Sequence, residues 1–192
     1  MITFKQYNIL KESKHKIVTF DFDWTLSSNN GTPNSIGIKL LKKHADDENT
    51  TVNILTTRKD TEQNDKEILM FLKSELGIYF DKLGHEIFFT NGKDKADFIT
   101  NLHKKGIDVD THYDEDPYEI KLINRRTETR GILVDIDNKL KDQWKEEYGV
   151  SWDQDKTKDE ADYNALRWDA GDFCEDKLHE GIFLNRDHQI KI

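Results

Sequence analysis

Short apolar runs bounded by turn residues alternate with amphipathic segments along most of this chain, which restricts it to folds where helices cover a parallel sheet. The first run, Ile17-Val18-Thr19-Phe20, leads into Asp21-Phe22-Asp23 and a loop holding Ser27, Ser28, Asn29, Asn30, Gly31 and Pro33. An amphipathic segment with Ile36, Ile38, Leu40 and Leu41 follows, and Thr51–Thr56 has the β-branched character of a second strand. Ile68, Leu69, Phe71 and Leu72 recur at helical spacing, and Gly77 closes that helix. The pattern then predicts a strand over Glu86–Thr90, a helix from about Asp94 to Lys104 ended at Gly106, and a strand over Ile107–Tyr113. A short helix near Tyr118–Leu122 and a fifth strand over Ile132–Ile136 complete the series. The expected fold is α/β, a Rossmann-like three-layer sandwich around a parallel sheet of about five strands.

At 192 residues the chain suits one domain, 1–192, with a core over about 16–148 and a C-terminal extension, 149–192, packed on it. Leu166, Trp168, Phe173, Leu178, Ile182 and Phe183 give that extension its apolar groups. A formal charge of −9 argues against a broad, nonspecific grip on nucleic acid. Cys174 is the sole cysteine, so no internal disulfide is possible and a reducing, cytoplasmic setting is expected. The segment Met1–Lys16 has no continuous hydrophobic span, so neither a signal peptide nor a membrane partner is expected.

The chemistry concentrates where the first strand ends. Alternation puts Asp21 and Asp23 on one side of an extended backbone, and two such anions in one crevice call for a hard divalent cation or a shared proton. Further along come Ile54-Leu55-Thr56-Thr57-Arg58, then Asn91-Gly92-Lys93-Asp94-Lys95-Ala96 opening a helix, then the acidic cluster His112-Tyr113-Asp114-Glu115-Asp116-Pro117 closing a strand.

The run Asp21-Phe22-Asp23-Trp24-Thr25-Leu26 resembles the DxDxT motif of the haloacid dehalogenase superfamily, and the later segments follow in that family's order over Ile17–Pro117. The resemblance implies a Mg2+-dependent phosphomonoesterase working through an aspartyl-phosphate, with Asp21 the nucleophile and Asp23 the acid/base. It also implies that Thr56 contacts the phosphoryl group and that a lysine neutralises charge; Lys95 is preferred over its neighbour Lys93. Asp114 would bind magnesium with Asp21 and Asp23, while Glu115 and Asp116 would contact it through water. Trp24, Thr25, Thr57 and Arg58 are the substrate-facing candidates; for Trp24, packing beneath the loop competes with stacking on a nucleobase.

Little chain separates these motifs, so the family's cap is minimal here, as in its capless group and in the phage nucleotide and polynucleotide-end phosphatases that this chain resembles. The expected substrate is a nucleotide or nucleic-acid terminal phosphate, the alternatives being a small metabolite, a phosphoprotein, or a noncatalytic binding module of the same fold. A second D-x-D, Asp135 and Asp137, lacks the threonine and the downstream partners. The segment from Asp153 to Asn164 fails as a calcium loop, having Lys158 where glycine is needed and Asn164 where glutamate is needed. His112 is expected to be a plain strand residue, and Lys121, Arg125, Arg126 and Arg130 a basic cluster that is either a solvated face or a phosphate-backbone contact.

Overall fold

The computed structural model describes residues 15–84 and 86–157. Five strands form one parallel sheet: β1 (Lys16–Phe20), β2 (Thr50–Thr56), β3 (Ile87–Phe89), β4 (Val109–Asp114) and β5 (Arg130–Leu133), in the spatial order β3-β2-β1-β4-β5. The intervening helices are α1 (Ser35–Ala45), α2 (Glu62–Leu76), α3 (Lys95–Lys104), α4 (Pro117–Arg126), α5 (Asn138–Tyr148) and the single turn α6 (Trp152–Asp155), with a 3-10 segment over Gly77–Lys82. This is the expected α/β sandwich, its sheet buried on both faces by helices.

The pleat decides which side chains meet which helices. Val18 and Phe20 of β1 and Val52 and Ile54 of β2 join Ile38 and Leu41 of α1 and Ile68 and Leu72 of α2 on one face. Leu55 points the other way, into Ala96, Ile99 and Leu102 of α3 and Leu122 and Ile123 of α4. Side-chain oxygens start the helices: Asn34 accepts from the Ile36 N–H, Thr61 from Asn64, Asp116 from Tyr118 and Glu119, and Asp137 from Leu140. Gly37 of α1 lies so close to the loop after β1 that an added Cβ would sit 1.9 Å from the Thr25 carbonyl oxygen.

Two local expectations are corrected. The fifth strand ends at Leu133 instead of continuing to Ile136, because Val134 and Ile136 are buried by different partners: Val134 joins the α1/α2 face, while Ile136 turns into a third cluster with Trp24, Leu140, Trp144 and Trp152. The helix near Tyr118 runs a turn further, to Arg126, with Pro117 in its first turn and Asp116 capping it. Helix α5, absent from the sequence reading, exists because Leu140 and Trp144 give it a buried stripe. The second D-x-D is structural: Asp137 caps α5, and Asp135 accepts from the Trp152 indole and pairs with Lys156 at 3.6 Å. Of the extension, 149–157 is described and packs on the core through Trp152, 1% exposed; Leu166 through Phe183 lie outside the described residues. Among the described residues no helix is long and apolar enough to cross a membrane.

Candidate active site

The chain leaves β1 for one half of the sheet and returns across it to β4, so the carboxyl ends of β1 and β4 frame the crevice where open α/β sheets bind ligands. Asp21 follows β1 directly, and its N–H donates to the Tyr113 carbonyl at 2.8 Å, extending the β1–β4 ladder by one rung. That rung brings Asp21 beside Asp114, the last residue of β4. Both carboxylates are deeply buried, and the Lys95 ammonium lies between them, 2.7 Å from Asp21 Oδ1 and 2.6 Å from Asp114 Oδ2. Lys95 is placed there as the first residue of α3, its own N–H donating to the buried Glu119 carboxylate at 3.2 Å. Of the two lysines, Lys95 enters the buried cluster and Lys93 is exposed.

Beyond Asp21 the backbone folds tightly, with the Leu26 and Ser27 N–H groups both donating to the Phe22 carbonyl at 3.0 Å. Trp24 takes a left-handed φ of 56°, uncommon for a bulky residue, and is held there by ring contacts with Trp144 and Tyr148 and by its indole N–H donating to the Tyr148 hydroxyl at 3.1 Å. Trp24 is thus packed beneath the loop, 3% exposed, while still bordering the cavity. Thr25 donates to Glu115 Oε2 at 2.6 Å and accepts from the Glu115 N–H at 2.9 Å, a reciprocal clasp tying the loop after β1 to the one after β4.

Asp23 borders the same cavity as Asp21. Its carboxylate is gripped by the Arg58 fork, Nε at 2.9 Å and Nη2 at 2.7 Å, while Arg58 Nη1 reaches Glu67 at 2.8 Å and the guanidinium covers the Phe22 ring. Thr56 is fully buried at the end of β2, its hydroxyl accepting from the Arg58 N–H at 3.2 Å; of the two threonines, Thr57 lines the cavity. Asp116 lines it too, besides capping α4. The basic cluster is carried away by α4, whose rise places Arg125 about 13 Å along the axis from Asp116. Arg126 there pairs with Asp94 at 3.6 Å and Asp97 at 3.7 Å.

The electrostatics are dominated by burial. Desolvation drives the Asp21 carboxyl well above its usual range, and Asp114 and Asp23 add to this against the opposing pull of Lys95. Glu115 is raised in the same way, by burial first and then by Asp114 and Asp21. Asp114 goes down although burial opposes it, because Lys95 and a hydrogen bond from His112 stabilise its anion. Lys95 overcomes its own burial through Asp114 and Asp21 and stays firmly protonated. Since a carboxylate only accepts, His112 Nε2 donates to Asp114 Oδ2 at 3.0 Å and its Nδ1 accepts from the Thr19 hydroxyl at 2.8 Å; burial lowers the imidazole pKa and keeps it neutral.

Beside the expected residues the site holds His112 on Asp114, and Glu119, Asn29 and Tyr148 in the cavity wall. His112 was legible in principle as the i−2 neighbour of Asp114 on one strand face, and Glu119 as an acid in the first turn of α4. For a cation, one oxygen each of Asp21, Asp114 and Glu115 lies within 4.8 Å of the others, and Asp21 Oδ1 has no aligned hydrogen-bond donor despite its ion pair. Such an all-oxygen, anion-rich set fits a hard divalent ion. Asp23, expected among the ligands, is turned to Arg58, and Glu115 stands in the cluster in its place. Comparison with models of known protein families yields no match, and no curated protein matches the chain.

Proposed function

We propose that this protein is a Mg2+-dependent phosphomonoesterase of the haloacid dehalogenase type. The observation that carries the reading is the buried Asp21–Lys95–Asp114 group with Glu115 beside it, assembled from three separate segments at the sheet's switch point. A structural ion pair needs one carboxylate per ammonium; three carboxylates and an unaligned Asp21 oxygen suit a second cation and a phosphoryl group. When bound, Mg2+ held by Asp21, Asp114 and Glu115 would screen the charge of the phosphoryl oxygens.

In the first half-reaction an Asp21 carboxylate oxygen attacks phosphorus, the bond from phosphorus to the ester oxygen breaks, and Asp23, released from the Arg58 fork and carrying a proton taken from water, gives that proton to the departing alkoxide. In the second, Asp23 takes a proton from water as that water attacks phosphorus, releasing orthophosphate and restoring Asp21. Lys95 faces the nucleophile and pulls it toward the ionised form, against burial. Arg58, doubly bonded to Asp23, orients the acid/base, and Thr57 lines the wall that the phosphoryl oxygens meet. His112 and Thr19 fix the direction of the Asp114 carboxylate.

The test is hydrolysis of an aryl phosphate by the full chain with and without Mg2+. Turnover that needs the ion and is lost in Asp21→Asn supports the reading. Equal turnover by Asp21→Asn removes Asp21 as nucleophile, and no turnover by the unaltered chain removes the activity.

A further inference from the structure

Next to the cavity of about 250 Å³ that holds Asp21 lies a second compartment of about 300 Å³, and Trp24 and Asn29 stand in the walls of both. Sites for small organic groups begin at about that size. The phosphatase reading accounts for the first compartment and leaves the second, formed between the loop after β1 and helix α5, without an occupant. We infer that the second compartment receives the alcohol part of the ester, and that it selects hydroxyl- or ammonium-bearing alcohols with no negative charge beyond the transferred phosphate. This inference rests on the phosphatase reading.

The walls argue for it residue by residue. Asn29 and Gln143 bring side-chain amides to the wall beside the Trp24 ring, groups that pair with alcohol hydroxyls, while the Ser28 hydroxyl holds the loop by donating to Asn30 Oδ1 at 2.7 Å and accepting from the Thr32 N–H at 3.2 Å. The charged groups there are Glu146 and Glu147 of α5, and among the described residues no lysine or arginine lines the compartment. Asn29 donates to the Glu147 carboxylate, so the loop and the helix are fastened across it. The first compartment is equally one-sided: Lys95 is its lining cation, against Asp21, Asp23, Asp114, Glu115, Asp116 and Glu119. Arg58 stands close by with its fork already on Asp23 and Glu67.

One phosphoryl group can be met by a bound divalent ion and Lys95. A second phosphate, as in a nucleic-acid strand or a nucleoside bisphosphate, would enter beside Glu146 and Glu147 and find like charge. Proteins that hold strands line the path with cations, and a chain of net charge −9 offers no long-range attraction to replace them. The selection therefore departs from the nucleic-acid terminal phosphate expected of the sequence, while an ester of a sugar, a polyol, an amino alcohol or a nucleoside fits.

The experiment pairs substrates that differ in charge. With Mg2+ present, kcat/KM is measured on the full chain for an aryl phosphate, glycerol phosphate, a hexose 6-phosphate, a nucleoside 5′-monophosphate, the matching 3′,5′-bisphosphate and a 3′-phosphorylated oligonucleotide. Equilibrium binding of the same esters is measured on Asp21→Asn. The expected result is at least a roughly tenfold preference for one or more singly phosphorylated esters over the bisphosphate and the oligonucleotide, in both rate and binding. Glu146→Lys should narrow that gap by at least about threefold. Turnover of the aryl phosphate together with equal or better use of the oligonucleotide overturns the inference and leaves the phosphatase reading intact. If no ester is turned over, the phosphatase reading fails, and the binding arm decides the subsite: tighter binding of singly phosphorylated esters upholds it, and equal or weaker binding overturns it.

Discussion

Replacing Asp21 by Asn in metal-free protein asks whether burial or the Lys95 ion pair controls this carboxylate. At an effective dielectric of about 20, the Asp21–Lys95 contact at 2.7 Å contributes about 6 kcal/mol of attraction. The cluster oxygens of Asp21, Asp114 and Glu115 lie within 4.8 Å of one another, so each ionised neighbour repels Asp21 by about 3.5 kcal/mol or more. The ionised Asp114 alone offsets more than half of the ion pair, Glu115 adds repulsion only as it ionises, and stripping water from a buried charge costs on the order of several kcal/mol more. Asparagine keeps the shape and removes the charge, and Lys95 still has Asp114 at 2.6 Å, so no buried ammonium is orphaned. In EDTA at neutral pH the variant should match or exceed the unaltered protein by about 1–3 kcal/mol, raising Tm by about 2–4 °C for each kcal/mol in a chain of this size. The sign follows from the raised pKa of Asp21: its stabilising contribution is complete below the ordinary value of 3.8 and is lost as pH climbs through the folded-state value. The advantage of the variant should therefore shrink on acidification and grow toward neutrality. Calorimetric or circular-dichroism melts across pH provide the measurement. A loss of more than about 1 kcal/mol at neutral pH, well beyond an ordinary neutral surface change, would mean that the ion pair outweighs burial and that the reasoning is wrong.

Mg2+ should raise Tm in EDTA-stripped protein by an amount equivalent to about 2.7 kcal/mol at a hundredfold excess over its dissociation constant, more at pH 8 than at pH 5 because protons compete for Asp21 and Glu115; a pH-independent shift in thermal melts would place the ion elsewhere. Lys95→Met should cost about 3–5 kcal/mol in the metal-free state, since it leaves buried carboxylates unpaired, and the loss should be read by denaturant unfolding together with the disappearance of turnover. Trp144→Ala removes the ring on which Trp24 and Trp152 lean and should cost about 3–5 kcal/mol, with Tm and Trp fluorescence as readouts. Gly37→Ala should cost about 1–3 kcal/mol, because its Cβ meets a backbone oxygen that cannot rotate away, and should lower kcat by moving Thr25 off Glu115; unchanged kinetics would show that the loop tolerates the shift.

What the residue pattern determined by itself is the layered architecture and the order of the chemical groups. Strand-forming runs such as Thr51–Thr56 and helical stripes such as Ile68–Leu72 are local signals, set by side-chain period and branching. The placement of Asp21, Thr56, Lys95 and Asp114 at segment ends likewise follows from sequence, because a parallel sheet brings all its carboxyl ends to one rim, but that Thr57 and not Thr56 lines the cavity does not. Tertiary structure decided what those groups touch. That Glu115 and not Asp23 joins Asp21 and Asp114 depends on the Thr25 clasp and on the Arg58 fork, contacts spanning 90 and 35 positions of chain. The early end of β5 and the existence of α5 depend on a cluster of tryptophans from three separate segments, and no local period encodes such a cluster. Local periodicity acts over a few residues, whereas desolvation and charge pairing act between whatever the completed fold brings within a few ångströms, so the site's electrostatics belong to the fold alone.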